Sequence, residues 1–275
     1  MPLLSQEEVL ELKLNCIPQK QLQILAAKFS LNIQGSVNDL IKRLLEINPD
    51  ERYIDQFLGE EYAKRVEEKR CISDEDLKNE LSKVSEFSWG AVQGQLDRRI
   101  QSKYIRKIAT FEGLVGNTQL HNDFTNYVIC AWFNHWTTTL IEQHICSHDR
   151  VIPTIKHKKG VDIFFDGQPF DLKTTNLPRN YDVSSALENP SDLAVWMYEE
   201  QGEQRFGADN RLFVIMLDKK NPEMSWELKR EFDFVFEIID DFFDKESVSS
   251  NDEITFYSKE KKPFHPISKI MMVTR

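Results

Sequence analysis

The chain has 275 residues, of which 40% are hydrophobic and 29% charged, and its formal net charge is −10. That length is enough for one sizeable core and a small accessory domain. No apolar run approaches the roughly 20 residues of a membrane-spanning helix, and the N-terminus "MPLLSQEEVLELKL" has acids where a signal peptide is basic and apolar. We therefore expect a cytoplasmic protein without a membrane partner.

The four cysteines, Cys16, Cys71, Cys130 and Cys146, are scattered along the chain and form no CxxC pair. This spacing argues against a disulfide framework and against a structural zinc site. We expect reduced, mostly buried thiols.

Residues 1–49 predict a small all-α domain. In "IPQKQLQILAAKFSLNIQGSVNDLIKRLLE" apolar residues recur at helical spacing on both sides of Gly35. Ser36 and Asp39 form the Ser-x-x-acid pattern of a capping box, which predicts the start of the second helix. The layout resembles the SAP domain, a helix–loop–helix module that often binds DNA. That family often has a lysine where this chain has Val37, so a small helical interaction module is the alternative.

Residues 50–110 predict a helical connecting region that contains a basic helix. The segment "GQLDRRIQSKYIRK" has five basic residues and one acid, with Leu96, Ile100 and Tyr104 at helical spacing. Together with the later run "KHKK", it predicts contacts to a DNA backbone. The proposed DNA-binding residues are Arg98, Arg99, Lys103, Arg106, Lys107, Lys156, Lys158 and Lys159. A solvated helix face is the alternative for the basic helix.

Residues 111–275 predict a mixed α/β domain. The pattern gives, in chain order, a long aromatic-rich helix over 117–145, a strand at "RVIPTIKH", a hairpin at "GVDIFFDGQPFDLKTT", a helix over 186–202, a buried strand at "RLFVIMLD", a helix over 226–245 with strand possible at its centre, and late strands at "EITFYS" and "ISKIMMVTR". This order favours an α/β fold in which a mixed sheet is flanked by helices.

The hairpin places two acids together. Asp166-Gly167 between two apolar runs is the strongest short signal for a two-residue turn of type I′. That turn sets the register so that Phe165 faces Gln168. The same register puts Asp162 directly opposite Asp171 in a non-hydrogen-bonded pair, with Cα atoms about 4.5 Å apart.

The predicted pair of acids needs a compensating charge, because like charges directly opposite on a sheet are destabilising. Lys173 projects from the same face as Asp171, and the other face, predicted to meet the core, carries Val161, Ile163, Phe170 and Leu172. Two such carboxylates are also typical donors for Mg²⁺, which would stabilise charge on a scissile phosphate and acidify a bound water. Lys173 would orient or deprotonate that water. A surface hairpin with a Lys–Asp ion pair is the alternative.

The spacing of Asp162 and Asp171-Leu172-Lys173 on successive strands resembles the PD-(D/E)xK nuclease motif. The superfamily includes many type II restriction endonucleases and several repair and phage-defence nucleases. The resemblance covers roughly residues 111–220 and implies a central mixed sheet flanked by helices, dependence on Mg²⁺ and phosphodiester hydrolysis. Val161 precedes the first acid where the motif name has proline, a position that varies in the superfamily.

The same superfamily often adds a glutamate from the preceding helix. Here Glu142 belongs to a predicted inward stripe of the long helix, which consists of Leu120, Phe124, Tyr127, Ala131, His135, Thr138, Glu142 and Ile145. A carboxylate on such a face needs a partner, and a metal would be one. A position at the wet edge of the stripe is equally open, and Glu112, just before the helix-breaking "GLVGN", is the weaker candidate.

These patterns favour a Mg²⁺-dependent endonuclease acting on double-stranded DNA, of the type II restriction or phage-defence kind. Asp162, Asp171 and Glu142 would hold the metal, and Lys173 would be the catalytic lysine. A non-catalytic DNA-binding or scaffold protein that uses the SAP-like region is one alternative, and a structure-specific repair nuclease is another. Palindromic cutting would favour a symmetric homodimer, although the sequence leaves the oligomeric state open.

Overall fold

The computed structural model describes residues 3–84, 93–200, 209–258 and 260–275. Its α-helices are α1 (Gln6–Asn15), α2 (Gln19–Lys28), α3 (Val37–Glu46), α4 (Glu51–Lys69), α5 (Asp74–Ser82), α6 (Gln93–Ile100), α7 (Phe111–Val115), α8 (Thr118–Ser147), α9 (Val183–Glu188), α10 (Pro190–Glu200) and α11 (Phe232–Lys245). A π-helical turn, Gln101–Ile105, follows α6, and a 3-10 helix, Pro222–Arg230, precedes α11. Within the described ranges, no helix combines the length and apolar character that crossing a membrane requires.

The strands form a mixed sheet, which confirms the predicted α/β class. They are β1 (Val151–Lys158), β2 (Val161–Phe165), β3 (Gln168–Asn176), β4 (Arg211–Leu217), β5 (Phe256–Tyr257), β6 (Pro263–Phe264) and β7 (Ser268–Thr274). The five-stranded sheet has the order β1-β2-β3-β4-β7, and β5 pairs with β6 separately. Strands β1 to β3 are antiparallel, whereas β3, β4 and β7 run parallel.

Strand β4 lies between β3 and β7 in the sheet and is buried on both faces. Leu212, Val214 and Met216 share one hydrophobic cluster with residues of α8 and α11. Phe213 and Ile215 belong to a second cluster with residues of α9 and α10. The unbroken apolar run of β4 therefore reflects helices on both faces, as is usual for parallel strands.

The N-terminal helices pack as one bundle against the outer strand of the sheet. The predicted capping box is present, since Ser36 Oγ accepts from the Asp39 N–H at 3.2 Å and Asp39 Oδ2 accepts from the Ser36 N–H at 2.8 Å. The apolar residues of α2 and α3 share their cluster with residues of α4 and with Ile155 of β1. The buried cluster thus continues past residue 49, and the domain boundary there remains a prediction.

Helix α8 begins and ends close to the predicted bounds, and the predicted inward stripe is confirmed only in part, since Ile145 is buried and Glu142 half-buried. Phe124 is 53% exposed and His135 is exposed. The buried side chains of α8 are Asp123, Cys130, Phe133, Thr137, Leu140, Ile141 and Ile145. The reason is that α8 contacts α5, α6, α11, β1 and the 3-10 helix along its length, so its buried face follows these partners rather than its aromatic residues.

Candidate active site

The turn that orders the hairpin has the predicted geometry. Asp166 and Gly167 have φ angles of 48° and 72°, and two positive φ values are the mark of a type I′ turn. The predicted register is confirmed over the pairs Phe165–Gln168, Phe164–Pro169 and Ile163–Phe170. The Asp166 carboxylate also accepts two bonds from Arg150 Nη2, at 2.8 and 2.9 Å, so the turn is anchored to the body of the domain.

The ladder ends before the two acids, and their predicted regular pairing is wrong. Its last pair is Ile163–Phe170, and the Leu172 N–H donates to Asp162 Oδ2 at 2.9 Å. From Asp171 onward β3 pairs with β4 on its other edge. The strands separate here because an Asp162 carboxylate oxygen accepts the N–H that the register would offer to a β2 carbonyl.

Val161 does not join the central cluster that holds the rest of the predicted core face. It packs with Val9, Cys16 and Phe164 beside the N-terminal helices. Ile163, Phe170 and Leu172, by contrast, lie in the central cluster as predicted. The end of β2 is therefore covered by the N-terminal bundle.

Two cations hold Asp171. Its Oδ1 accepts from Lys173 Nζ at 3.0 Å, and its Oδ2 accepts from Arg211 Nε at 3.1 Å. The Lys173 side chain is 39% exposed, whereas that of Arg211 is fully buried, with its guanidinium centre 4.8 Å from the Tyr198 ring centroid. Arg211 was not among the residues predicted from the sequence, although a charged residue at the start of an apolar strand is a usable signal, because buried charges are usually paired.

Glu142 is the helix acid that approaches this group. The pKa of Glu142 is raised to about 7, mainly by burial. The negative charges of Asp162 and Asp171 also raise it, whereas the positive charge of Lys173 lowers it. Burial also raises the pKa of Asp162. The hydrogen bond from the Leu172 N–H lowers this pKa, and the negative charge of Asp171 raises it. Glu112, the weaker candidate, is exposed on α7. The structure therefore brings together Glu142, Asp162, Asp171 and Lys173, which we call the acidic cluster.

A further carboxylate that the sequence did not indicate, Asp209, lies beside the cluster. Burial raises the pKa of Asp209. The positive charge of Arg211 lowers this pKa, and the negative charge of Asp171 raises it. Its side chain fills the space beside Gly160, where an added Cβ would lie 2.4 Å from Asp209 Cγ. The β1–β2 turn can approach this closely because Gly160 has no side chain and adopts a φ of +77°.

The donors of the acidic cluster suit a hard cation, but their arrangement is not a closed metal cage. Carboxylate oxygens are the ligands that Mg²⁺ prefers, and mutual repulsion among them is what a divalent cation would relieve. Within the described ranges, however, no group of three or more His, Cys, Asp or Glu is positioned to hold a metal ion. Both oxygens of Asp171 face cations, so metal binding there would require Lys173 to turn away.

The proposed DNA-binding residues fall into two sets. Arg99 Nε and Lys103 Nζ lie 3.7 and 3.6 Å from the buried carboxylate of Asp123, so they balance an internal charge as well as facing solvent. The side chain of Leu96 lies outside the described residues. The remaining cations are exposed or half-buried: Arg98, Arg106, Lys107, Lys156, Lys158 and Lys159. The charge of Lys159 acts on Asp209, which places this lysine near the acidic cluster.

The two histidines near the end of α8 are turned toward α11. His144 Nε2 lies 2.8 Å from Asp240 Oδ1, and His148 Nε2 lies 3.4 Å from Asp244 Oδ1.

Comparisons of the chain with models of known protein families, with curated proteins and with solved structures find no match.

The raised pKa of Glu142 predicts that the metal-free protein loses stability as the pH rises. Between its ordinary value of 4.5 and about 7, the folded state keeps a proton that the unfolded state has lost, so stability falls as pH rises. We expect Glu142→Gln to be more stable than wild type by up to about 3 kcal/mol at pH 8, and nearly equal at pH 4.5. Urea unfolding in EDTA at both pH values measures this difference. The exposed Glu112→Gln is the control, and an equal pH response of both variants would contradict the burial of Glu142.

Proposed function

We propose that the protein is a metal-dependent nuclease that hydrolyses phosphodiester bonds in DNA. The observation that supports it is the acidic cluster itself. A helix acid, two hairpin acids and a lysine meet where β2 and β3 separate, and the charges of Asp162, Asp171 and Lys173 all act on Glu142. A purely structural ion pair between Lys173 and Asp171 would not require Glu142 and Asp162 to be half-buried beside it.

The roles follow from the exposure and contacts of each group. Asp162, Asp171 and Glu142 would hold Mg²⁺, which when bound supplies Lewis-acid stabilisation and a more acidic water. Arg211 holds the Asp171 carboxylate in position through its Nε bond at 3.1 Å. Lys173 is the half-exposed cation, and its flexible stem allows its Nζ to leave Asp171 and hold a proton at the attacking water or contact a phosphate oxygen. Lys159, exposed beside Asp209, is positioned for a DNA phosphate.

The first experiment is cleavage of supercoiled plasmid with Mg²⁺, with Mn²⁺ and with EDTA. We expect cutting only with metal, and loss of cutting in Asp162→Asn. A Mn²⁺ titration should detect binding by wild type that Asp162→Asn loses. Asp241→Asn is the matched control, because Asp241 is 63% exposed on α11 and pairs with Lys245. Cleavage in EDTA, or wild-type cleavage by Asp162→Asn, would refute the proposal.

A second candidate is a non-catalytic DNA-binding protein, with the N-terminal helices as its functional part. The observation that favours it is that Lys173 and Arg211 already neutralise Asp171. This candidate predicts DNA binding without cleavage and no Mn²⁺ site. A nuclease that serves in restriction or phage defence would prefer intact duplex DNA as its substrate, in line with a symmetric homodimer. A repair nuclease would prefer a particular DNA structure.

A further inference from the structure

A cleft of about 590 Å³ lies between the helix pair α4 and α5 on one side and α8 and β1 on the other. This volume is typical of a ligand-binding site. We call it the aromatic cleft because Trp132, His135 and Trp136 of α8 line it. The acids and basic helix described above do not line this cleft; Lys156 is the one proposed DNA-binding residue that does.

The rings in the aromatic cleft are accessible. Trp132 is 36% exposed and His135 is exposed, while Trp136 is half-buried. The His135 and Trp136 ring centroids are 5.0 Å apart, with the ring planes at 67°. An exposed tryptophan in a concave surface offers a flat face on which a nucleobase can stack, and stacking of this kind tolerates any base.

Cations accompany the rings. Lys69 at the end of α4 and Lys156 on β1 line the cleft and are exposed, and within the described ranges neither forms an ion pair. The acids that line the cleft are Asp74 and Glu80, and Asp74 Oδ1 is already paired with Arg70 Nη1 at 3.2 Å. The two lysines are therefore available to phosphate groups.

Two residues that line the cleft lie close to the acidic cluster. Tyr62 lines the cleft, and the charge of Glu142 acts on its hydroxyl. Thr154 also lines the cleft, and its Oγ1 donates to the carbonyl of Val161, the residue before Asp162, at 3.5 Å. A DNA strand that crossed the acidic cluster could therefore enter the cleft with the adjoining nucleotides.

We propose that the aromatic cleft binds an unpaired nucleotide of a DNA strand, with the base stacked on Trp132 or His135 and the phosphates on Lys69 and Lys156. In an intact duplex the base faces are covered by their neighbours, so only an unpaired or extruded base can use these rings. As a statement about substrate, this rests on the proposed nuclease function and assigns it DNA with an unpaired segment.

The binding test uses fluorescence anisotropy in EDTA, with a labelled single strand of about 12 nucleotides and the duplex of the same sequence. We expect wild type to bind the single strand more tightly than the duplex. Trp132→Ala should weaken single-strand binding by about 5- to 100-fold, and Trp132→Phe should retain most of it. Lys156→Ala should lower the slope of log affinity against log salt by about one.

The controls are an aromatic and a lysine outside the cleft. Phe124→Ala removes a 53% exposed ring on the same helix, and Lys220→Ala removes an exposed lysine after β4. Both should bind as wild type. Wild-type affinity in Trp132→Ala, or equal losses in Trp132→Ala and Phe124→Ala, would overturn the assignment of the cleft.

A cleavage experiment separates the two proposals. With Mg²⁺, wild type should cut a duplex that contains an unpaired segment faster than an intact duplex, and Trp132→Ala should lose this preference. If Trp132→Ala weakens binding but no DNA is cut with any metal, the nuclease proposal fails and the binding site stands. If DNA is cut and Trp132→Ala binds and cuts as wild type, the cleft proposal fails and the nuclease stands.

Discussion

Lys173→Met is expected to lower the rate of Mg²⁺-dependent DNA cleavage by about 10²- to 10⁴-fold, the usual contribution of a group that transfers a proton in catalysis. Its stability should change by less than about 1 kcal/mol, because the Lys173 side chain is 39% exposed and such ion pairs contribute little. Methionine retains most of the apolar stem. Plasmid cleavage rates and urea unfolding measure the two quantities separately.

Two further variants sharpen this test. Lys173→Arg keeps the charge but cannot give up a proton at ordinary pH, so a proton-transfer role predicts low activity and a purely electrostatic role predicts partial rescue. Lys220→Met replaces an exposed lysine at the other end of β4 from Arg211 and should cut as wild type. Undiminished cleavage by Lys173→Met would remove this lysine from the mechanism.

Asp171→Ala is expected to lower the free energy of unfolding by about 3 to 5 kcal/mol, because it removes a carboxylate that is paired with a buried cation. The Arg211 side chain is fully buried and its Nε lies 3.1 Å from Asp171 Oδ2. Glu223→Ala is the matched control, since Glu223 pairs with Arg179 where both side chains are about half exposed. It should cost no more than about 1 kcal/mol. Urea unfolding of both variants measures the difference.

Replacing Arg211 as well should reverse most of the stability lost in Asp171→Ala. The Asp171→Ala, Arg211→Met double variant is therefore expected to be more stable than Asp171→Ala alone. Additive losses in the double variant would show that the pair is not coupled. Loss of cleavage in Asp171→Ala would therefore combine two effects, a missing metal ligand and a less stable fold. Asp162→Asn is the cleaner test of the metal site because it preserves the shape of the side chain.

Local patterns predicted much of the hairpin and of the helices around it. The Asp166-Gly167 turn requires two positive φ values, which few residue pairs accept, so the turn type and the three pairs next to it followed from the sequence. Ser36 and Asp39 likewise predicted the start of α3, because a capping box depends only on neighbouring atoms.

The same local patterns gave wrong predictions where other contacts compete with them. The Asp162–Asp171 pairing was wrong because an Asp162 side-chain oxygen takes the Leu172 N–H, while β3 pairs with β4 from this point onward. The inward stripe of α8 was wrong at Phe124 and His135 because several different elements cover that helix. Strand β4 and the elements that cover α8 lie outside the segments from which these patterns were read, whereas the Asp162 side chain competes from within the hairpin.

The sequence by itself determined the residue types of the candidate site and their order, since a type I′ turn brings Asp162 and Asp171 to neighbouring strands wherever the hairpin lies. Only the tertiary structure decided that Glu142, rather than Glu112, joins them, and that Arg211 and Asp209 stand beside them. The physical reason is that a carboxylate's environment depends on burial and on charges within a few ångströms. In this chain they are supplied by Glu142 of α8, Arg211 of β4 and Asp209 just before β4, which come together with the hairpin only in the folded chain.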